Sequence, residues 1–66
     1  MAEYINQHGW LYRVMERSGK YRARYQMPGQ STWWGSNHVI PRETEAEAEA
    51  DLCRVVKTQG WKVVKE

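Results

Sequence analysis

The sequence predicts an α+β fold: a three- to four-stranded antiparallel sheet with one helix packed across a single face, in the order βββαβ. Three observations predict it. Residues 10–27 alternate apolar and basic side chains about a Ser18-Gly19 turn, the pattern of a two-faced hairpin. A further extended stretch around Ser31 to Gly35 is bounded by Pro28-Gly29 and Pro41. Thr44 to Gly60 carries both end signals and the apolar stripe of one helix.

Taken in order, residues 1–8 show no clear period. Tyr4-Ile5 reads as a short edge strand or as part of a loose N-terminal arm. The hairpin follows, roughly Trp10 to Arg17 and Lys20 to Met27. If Arg17 pairs with Lys20, then Val14 meets Ala23, Tyr12 meets Tyr25 and Trp10 meets Met27 on one apolar face. The other face carries Leu11, Arg13, Met15, Arg17, Lys20, Arg22, Arg24 and Gln26. A one-residue slip would put Arg22 and Arg24 beneath the apolar face, so burial locks this register.

Pro28-Gly29 suits a type II turn, with Pro presetting φ and Gly taking the positive-φ site. In the third strand Trp33 and Trp34 are adjacent and point to opposite faces. One is expected in the core and one among the arginines, and the sequence leaves open which. Gly35-Ser36-Asn37 interrupts the pattern. His38-Val39-Ile40 is read as a resumption of the strand, which Pro41 ends.

Thr44 is a suitable N-cap and Glu47 completes a capping box. Acidic first turns and Arg54 and Lys57 near the end match the helix dipole. Gly60 stands where a C-cap glycine belongs. Ala48, Leu52, Val55 and Val56 define the apolar stripe, whereas Glu45, Glu47, Glu49 and Asp51 read as a solvated face. Trp61 to Lys65 reads as a last short strand returning beside the sheet, with Trp61 and Val63 closing the core.

The 66 residues are read as one small domain, 1–66. A chain this short buries only about 60% of its unfolded surface, so its stability is marginal. Four Trp and four Tyr with no Phe supply large rings to a small core. One cysteine, Cys53, excludes an intrachain disulfide framework and points to a reducing, cytoplasmic setting. No stretch has the length of a membrane span, and the N-terminus lacks a signal-peptide pattern. Net charge is only +2, but it is unevenly placed. Residues 1–42 carry six Lys or Arg against two Glu, whereas 43–66 carry four against six acidic residues. That asymmetry points to an anionic partner on the sheet side.

The candidate binding residues are therefore Arg13, Met15, Arg17, Lys20, Arg22, Arg24, Trp33 and Trp34. Arg13 would face Arg24, and Arg17 would face Lys20. Like charges directly across a strand pair destabilise it. Cations interleaved with apolar and aromatic groups suit phosphate neutralisation with stacking or groove contact. The bland alternative is a solvated face whose arginine stems cover apolar groups. His8, His38 and Cys53 lack metal-ligand spacing, so no metal or cofactor is expected. His38 near Ser36 has no carboxylate placed to orient it, so no enzyme is expected.

The strand-strand-strand-helix order resembles a group of DNA-binding domains: the arm-binding domains of phage and transposon integrases, and the plant ethylene-response-factor domain. The residues that carry the resemblance are Tyr21-Arg22-Ala23-Arg24-Tyr25, Trp34-Gly35 and the helix opening Thr44-Glu45-Ala46-Glu47-Ala48, within residues 10–58. The resemblance implies a sheet that enters the major groove and a helix that braces its back. It also implies that Arg13, Arg22, Arg24 and one of Trp33 or Trp34 face DNA. Size and composition are also similar to small phage-encoded proteins in general. The expected function is a non-catalytic module that binds DNA through the basic, aromatic sheet face. The alternative is a phage-encoded inhibitor, of host-takeover or anti-CRISPR type, that docks the same face on a host protein complex. The oligomeric state is left open.

Overall fold

A computed structural model describes residues 2–65. The elements are β1 (Glu3–Ile5), β2 (Leu11–Arg17), β3 (Lys20–Gln26), β4 (Trp34–Gly35), α1 (Glu45–Gln59) and β5 (Lys62–Lys65). All strands form one antiparallel sheet in the order β4-β3-β2-β1-β5. The expected α+β fold is present, with five strands rather than three or four.

The central β2–β3 ladder has the register expected from the alternation. Tyr12 opposes Tyr25, Val14 opposes Ala23, and Arg17 opposes Lys20. Ser18 (φ 55°) and Gly19 (φ 79°) both take positive φ, as a type I′ turn requires. The Gly19 N–H donates to Glu16 Oε2 at 2.8 Å, which ties the turn to its own strand. The second turn also follows expectation: Gln30 N–H bonds the Met27 carbonyl across Pro28-Gly29, and Gly29 has φ 78°.

The N-terminal segment is an interior strand. β1 lies between β2 and β5, pairing Tyr4 with Tyr12 and with Val63. Its connection to β2 is organised by Asn6, whose Oδ1 accepts the N–H groups of His8 and Trp10, each at 2.9 Å. Three residues are too few to show a period, so neither the pairing nor the interior position was visible in the pattern.

Helix α1 is capped as expected. The Thr44 hydroxyl accepts from the Glu47 N–H at 3.2 Å and donates to the Glu47 carboxylate at 3.1 Å. At the other end Gly60 adopts φ 74°, and its N–H and that of Trp61 both bond the Val56 carbonyl. The helix packs on β2 and β3. Tyr12, Val14 and Ala23 of the sheet meet Ala48, Leu52 and Val56 of the helix, with Val39 from the intervening loop. Beside them the rings form a stack: Trp10 on Tyr25 at 5.2 Å, and Tyr12 on Trp61 at 4.1 Å. Each such pair adds about 0.5–1.5 kcal/mol beyond its buried area.

Four expectations are corrected. The third strand shrinks to Trp34–Gly35, and 38–40 form loop rather than strand. Pairing there is replaced by a single bridge, in which Arg42 exchanges both backbone bonds with Tyr21. Neither Trp33 nor Trp34 enters the core, because β4 lies outside the two strands on which the helix packs. Val63 is 54% exposed, so Trp61 alone of that pair helps to close the core.

Asp51, read as part of the solvated helix face, is 4% exposed. Its carboxylate accepts a fork from Arg42, Nε to Oδ2 at 2.7 Å and Nη2 to Oδ1 at 3.2 Å. Arg54 approaches it at 3.5 Å. A planar two-point pair of this kind fixes geometry as well as charge. It fastens the 36–43 loop to the helix and so sets how the chain leaves the sheet edge.

Two outcomes follow for stability. Asp51→Ala removes a charge-assisted fork made by a buried carboxylate, and the partial exposure of Arg42 softens the loss. Urea unfolding is expected to show a clearly lower midpoint at unchanged slope. Glu49 tests the opposite sign. Burial lifts its carboxyl above the ordinary range, and the charge of Glu45 one turn away adds to the lift. A group that holds its proton more tightly when folded favours folding at low pH, and that contribution is lost as pH rises through its folded value. Glu49→Gln is therefore expected to melt slightly higher than the parent at pH 7. The gap should close as pH falls into the carboxylate range, and a gap independent of pH would refute the assignment.

Candidate functional site

The register that buries Tyr12, Val14 and Ala23 turns their neighbours the other way. Arg13, Met15 and Arg17 of β2, with Lys20, Arg22 and Arg24 of β3, share the face opposite α1. Arg13 is directly opposite Arg24, Met15 opposite Arg22, and Arg17 opposite Lys20. Six of the eight sequence-derived candidates thus lie together by backbone geometry alone.

Trp33 joins them. The Arg13 guanidinium carbon lies 4.5 Å from the centre of the Trp33 ring, a cation–π distance. Trp34 does not join them. It opposes Tyr25, whose side chain belongs to the helix side of the sheet, and there it is 47% exposed. The question left open by the sequence is therefore decided in favour of Trp33 as the ring among the arginines.

The cations differ in how they are satisfied. Arg13 approaches Glu3 at 3.8 Å. Lys20 forms an ion pair with Glu43. Arg22 donates from Nη2 to the Ser36 carbonyl at 2.8 Å. That reach depends on Gly35, where a Cβ would stand 2.9 Å from both Cζ and Nη1 of Arg22. The Nε atoms of Arg13 and Arg22 are buried without a hydrogen-bond partner. Among the described residues, Arg17 and Arg24 have no carboxylate within ion-pair distance.

Arg17, Lys20, Arg22 and Arg24, with Ser18 and Pro41, line one open cleft of about 200 Å³. Burial lowers the affinity of Arg24 for its proton, and the charges of Arg17 and Arg22 lower it further. Positive charge is thus concentrated beyond what the local acids neutralise. An anion in the cleft would relieve that repulsion and receive charge-assisted hydrogen bonds.

Other candidate chemistry has structural explanations. The Ser36 hydroxyl accepts the backbone N–H of His38 at 3.2 Å, a local turn bond. The His38 ring instead stands edge-on to Trp61 at 6.1 Å. The His8 ring leans on Trp10 at 6.0 Å. Cys53 is half-buried on α1. Among the described residues no three of His, Cys, Asp and Glu gather as a metal site would need. Among the described residues no helix is long and apolar enough to cross a membrane.

Sequence reasoning missed Glu3, Glu43, Gly35 and the Ser36 carbonyl as partners of the basic face. None shares a local pattern with the cations, since each is brought in by strand pairing or by the loop that follows β4. Compared with known protein families, with curated proteins and with solved structures, the chain finds no match.

The Arg22 seat can be tested directly. In Gly35→Ala the obstacle is the far end of a flexible side chain, so Arg22 swings away instead of forcing the backbone apart. Loss of one hydrogen bond is offset by the reduced freedom of the unfolded chain, so stability should stay within about 1 kcal/mol of the parent. The Arg22 Nε–H signal in an NMR spectrum should shift and exchange faster with water. An unchanged signal would mean that Gly35 does not hold the guanidinium.

Proposed function

We propose that this chain is a non-catalytic module that binds DNA through the helix-free face of its sheet. The carrying observation is the cleft in which Arg17 and Arg24 stand beside Arg22 and Lys20 without a carboxylate partner among the described residues. A sheet face that only has to meet water gains nothing from Arg13 directly opposite Arg24. A polyanion gains from it, because phosphates neutralised by Arg and Lys release condensed counterions.

The roles divide by position. Arg17 and Arg24 are the phosphate-contacting groups, because no carboxylate among the described residues competes for them. Lys20 and Arg22 flank them. The exposed Lys20–Glu43 pair exchanges with a phosphate oxygen at small cost, and the Ser36 carbonyl holds Arg22 at the cleft. Arg13 and Trp33 form a cation–π platform on the same face. Docking of the same face on a host protein gains no separate support, since the most exposed tryptophan, Trp34, stands on the helix side.

The test is a fluorescence-anisotropy titration with labelled DNA across a range of salt. Affinity should fall linearly in a log–log plot, with a slope of about 0.9 per phosphate contact on B-DNA and about 0.7 on a single strand. Arg17→Ala and Arg24→Ala should each weaken binding and reduce that slope by somewhat under one unit, without changing the melting temperature by more than a few degrees. Full affinity in the double variant would remove the cleft from the reading.

A further inference from the structure

We infer that the ligand of this face is single-stranded DNA, with its backbone in the Arg17–Arg24 cleft and an unpaired base stacked on the Arg13–Trp33 pair. The inference rests on the DNA reading above and specifies the state of the strand.

The first argument is adjacency. Arg24 lines the cleft, and Arg13, which covers Trp33, is its direct partner in the ladder. The two backbones are about 5 Å apart at such a pair. A nucleotide whose phosphate rests against Arg24 therefore has its base within reach of the platform. Guanidinium planes and aromatic rings are the two surfaces on which unpaired bases stack.

The second argument is the width of the sheet at that row. Gly35, Arg24 and Arg13 follow one another across β4, β3 and β2. Glu3 of β1 reaches Arg13, and Lys65 of β5 opposes Glu3. All five strands thus cross the row. At about 4.8 Å per strand the outer backbones stand roughly 19 Å apart. A major groove about 12 Å wide admits a two-stranded ribbon, and here β2–β3 is flanked on both sides. Five strands at one level are wider than that groove, so the Arg13 row meets base edges in a duplex only where the groove opens, and base faces in a duplex are already stacked on one another. A single strand lying across the sheet meets neither obstacle.

The third argument is the placement of Trp33. Apart from Trp34, the other large rings among the described residues lie in or against the core, as Trp10 does on Tyr25 and Trp61 on Tyr12. Trp33 is held half-buried on the face that has no helix, with a cation over its ring. Gln26, at the end of β3, presents an amide on the same face and could read the edge of a stacked base.

The experiment uses three labelled probes in one buffer, each of about twelve nucleotides, within the usual footprint of small single-strand binders. They are oligothymidine, the same strand with abasic sites, and a duplex of equal length. The unaltered protein should bind oligothymidine about tenfold more tightly than the abasic strand, as expected for one stacked base, and more tightly than the duplex. Trp33→Ala should erase the preference for bases while keeping the salt slope on the abasic strand. The comparison of thymidine with abasic strand needs no variant, so it stands even if Trp33→Ala fails to fold. Equal binding of the two strands, or tighter binding of the duplex, with a normal salt slope, would overturn the single-strand inference and leave the DNA reading in place. Absence of binding to all three probes at low salt would overturn both.

Discussion

Everything in this chain depends on the register of the β2–β3 hairpin. It is set at one point, where Ser18 and Gly19 both accept positive φ and bring Arg17 opposite Lys20. From there the two-residue period of a strand sorts fourteen side chains without further instruction. Tyr12, Val14 and Ala23 go to the helix, and every cation of the hairpin goes to the other side. A slip by one residue would put Arg22 and Arg24 beside Val14 and Tyr12 on the helix side and turn Ala23 to water. The cost of burying those charges makes the alternative register inaccessible. The core and the basic face are therefore one decision read from two sides.

The rest of the chain covers one side and leaves the other bare. Helix α1 lies on β2 and β3, held in place by its caps and by the fork from Arg42 to Asp51. That fork has a second consequence. Arg42 also bridges Tyr21 through its backbone, so the loop after β4 is pinned at the sheet edge. Pro41 then borders the cationic cleft, and Glu43 reaches Lys20. A polar interaction on the helix side thus shapes the wall of a cleft on the opposite side. The small core does not need the outer strands: Trp34 and Val63 at the margins remain half in water.

What was legible in the sequence was what short-range physics decides. The hairpin, its turn, the Pro28-Gly29 turn and both helix caps each depend on a few consecutive residues with strong backbone preferences, and each is where the pattern put it. Three things were not legible. β1 is three residues long, and its interior position comes from pairing with β5, some sixty residues away. The fate of Trp33 and Trp34 depends on how far the helix reaches across the sheet, which no alternation encodes. Asp51 looked like one more acid in a solvated run, because its partner lies nine residues earlier in a loop with no period. The candidate site was legible as a set of residues and illegible as a shape. Which cations share a cleft, and which are already satisfied, follows from Glu3, Glu43 and Gly35, all of which come from outside the hairpin.

The degree of that satisfaction is what gives the basic face its character. With every cation neutralised, the face would be an inert lattice of ion pairs, and a polyanion would have to break each one. With none neutralised, the repulsion between Arg13 and Arg24 and between Arg17 and Lys20 would fall on a fold with little stability to spare. The chain lies between these limits. Arg13, Lys20 and Arg22 are steadied by Glu3, Glu43 and the Ser36 carbonyl, and Arg17 and Arg24 have no carboxylate partner among the described residues. Repulsion that remains in the free protein disappears when an anion enters, so it adds to the binding free energy instead of opposing it. By linkage, the same anion stabilises the fold. On the proposed reading, a face with its residual charge gathered at one cleft, beside the Arg13–Trp33 pair, suits a strand in one orientation better than it suits anions indiscriminately.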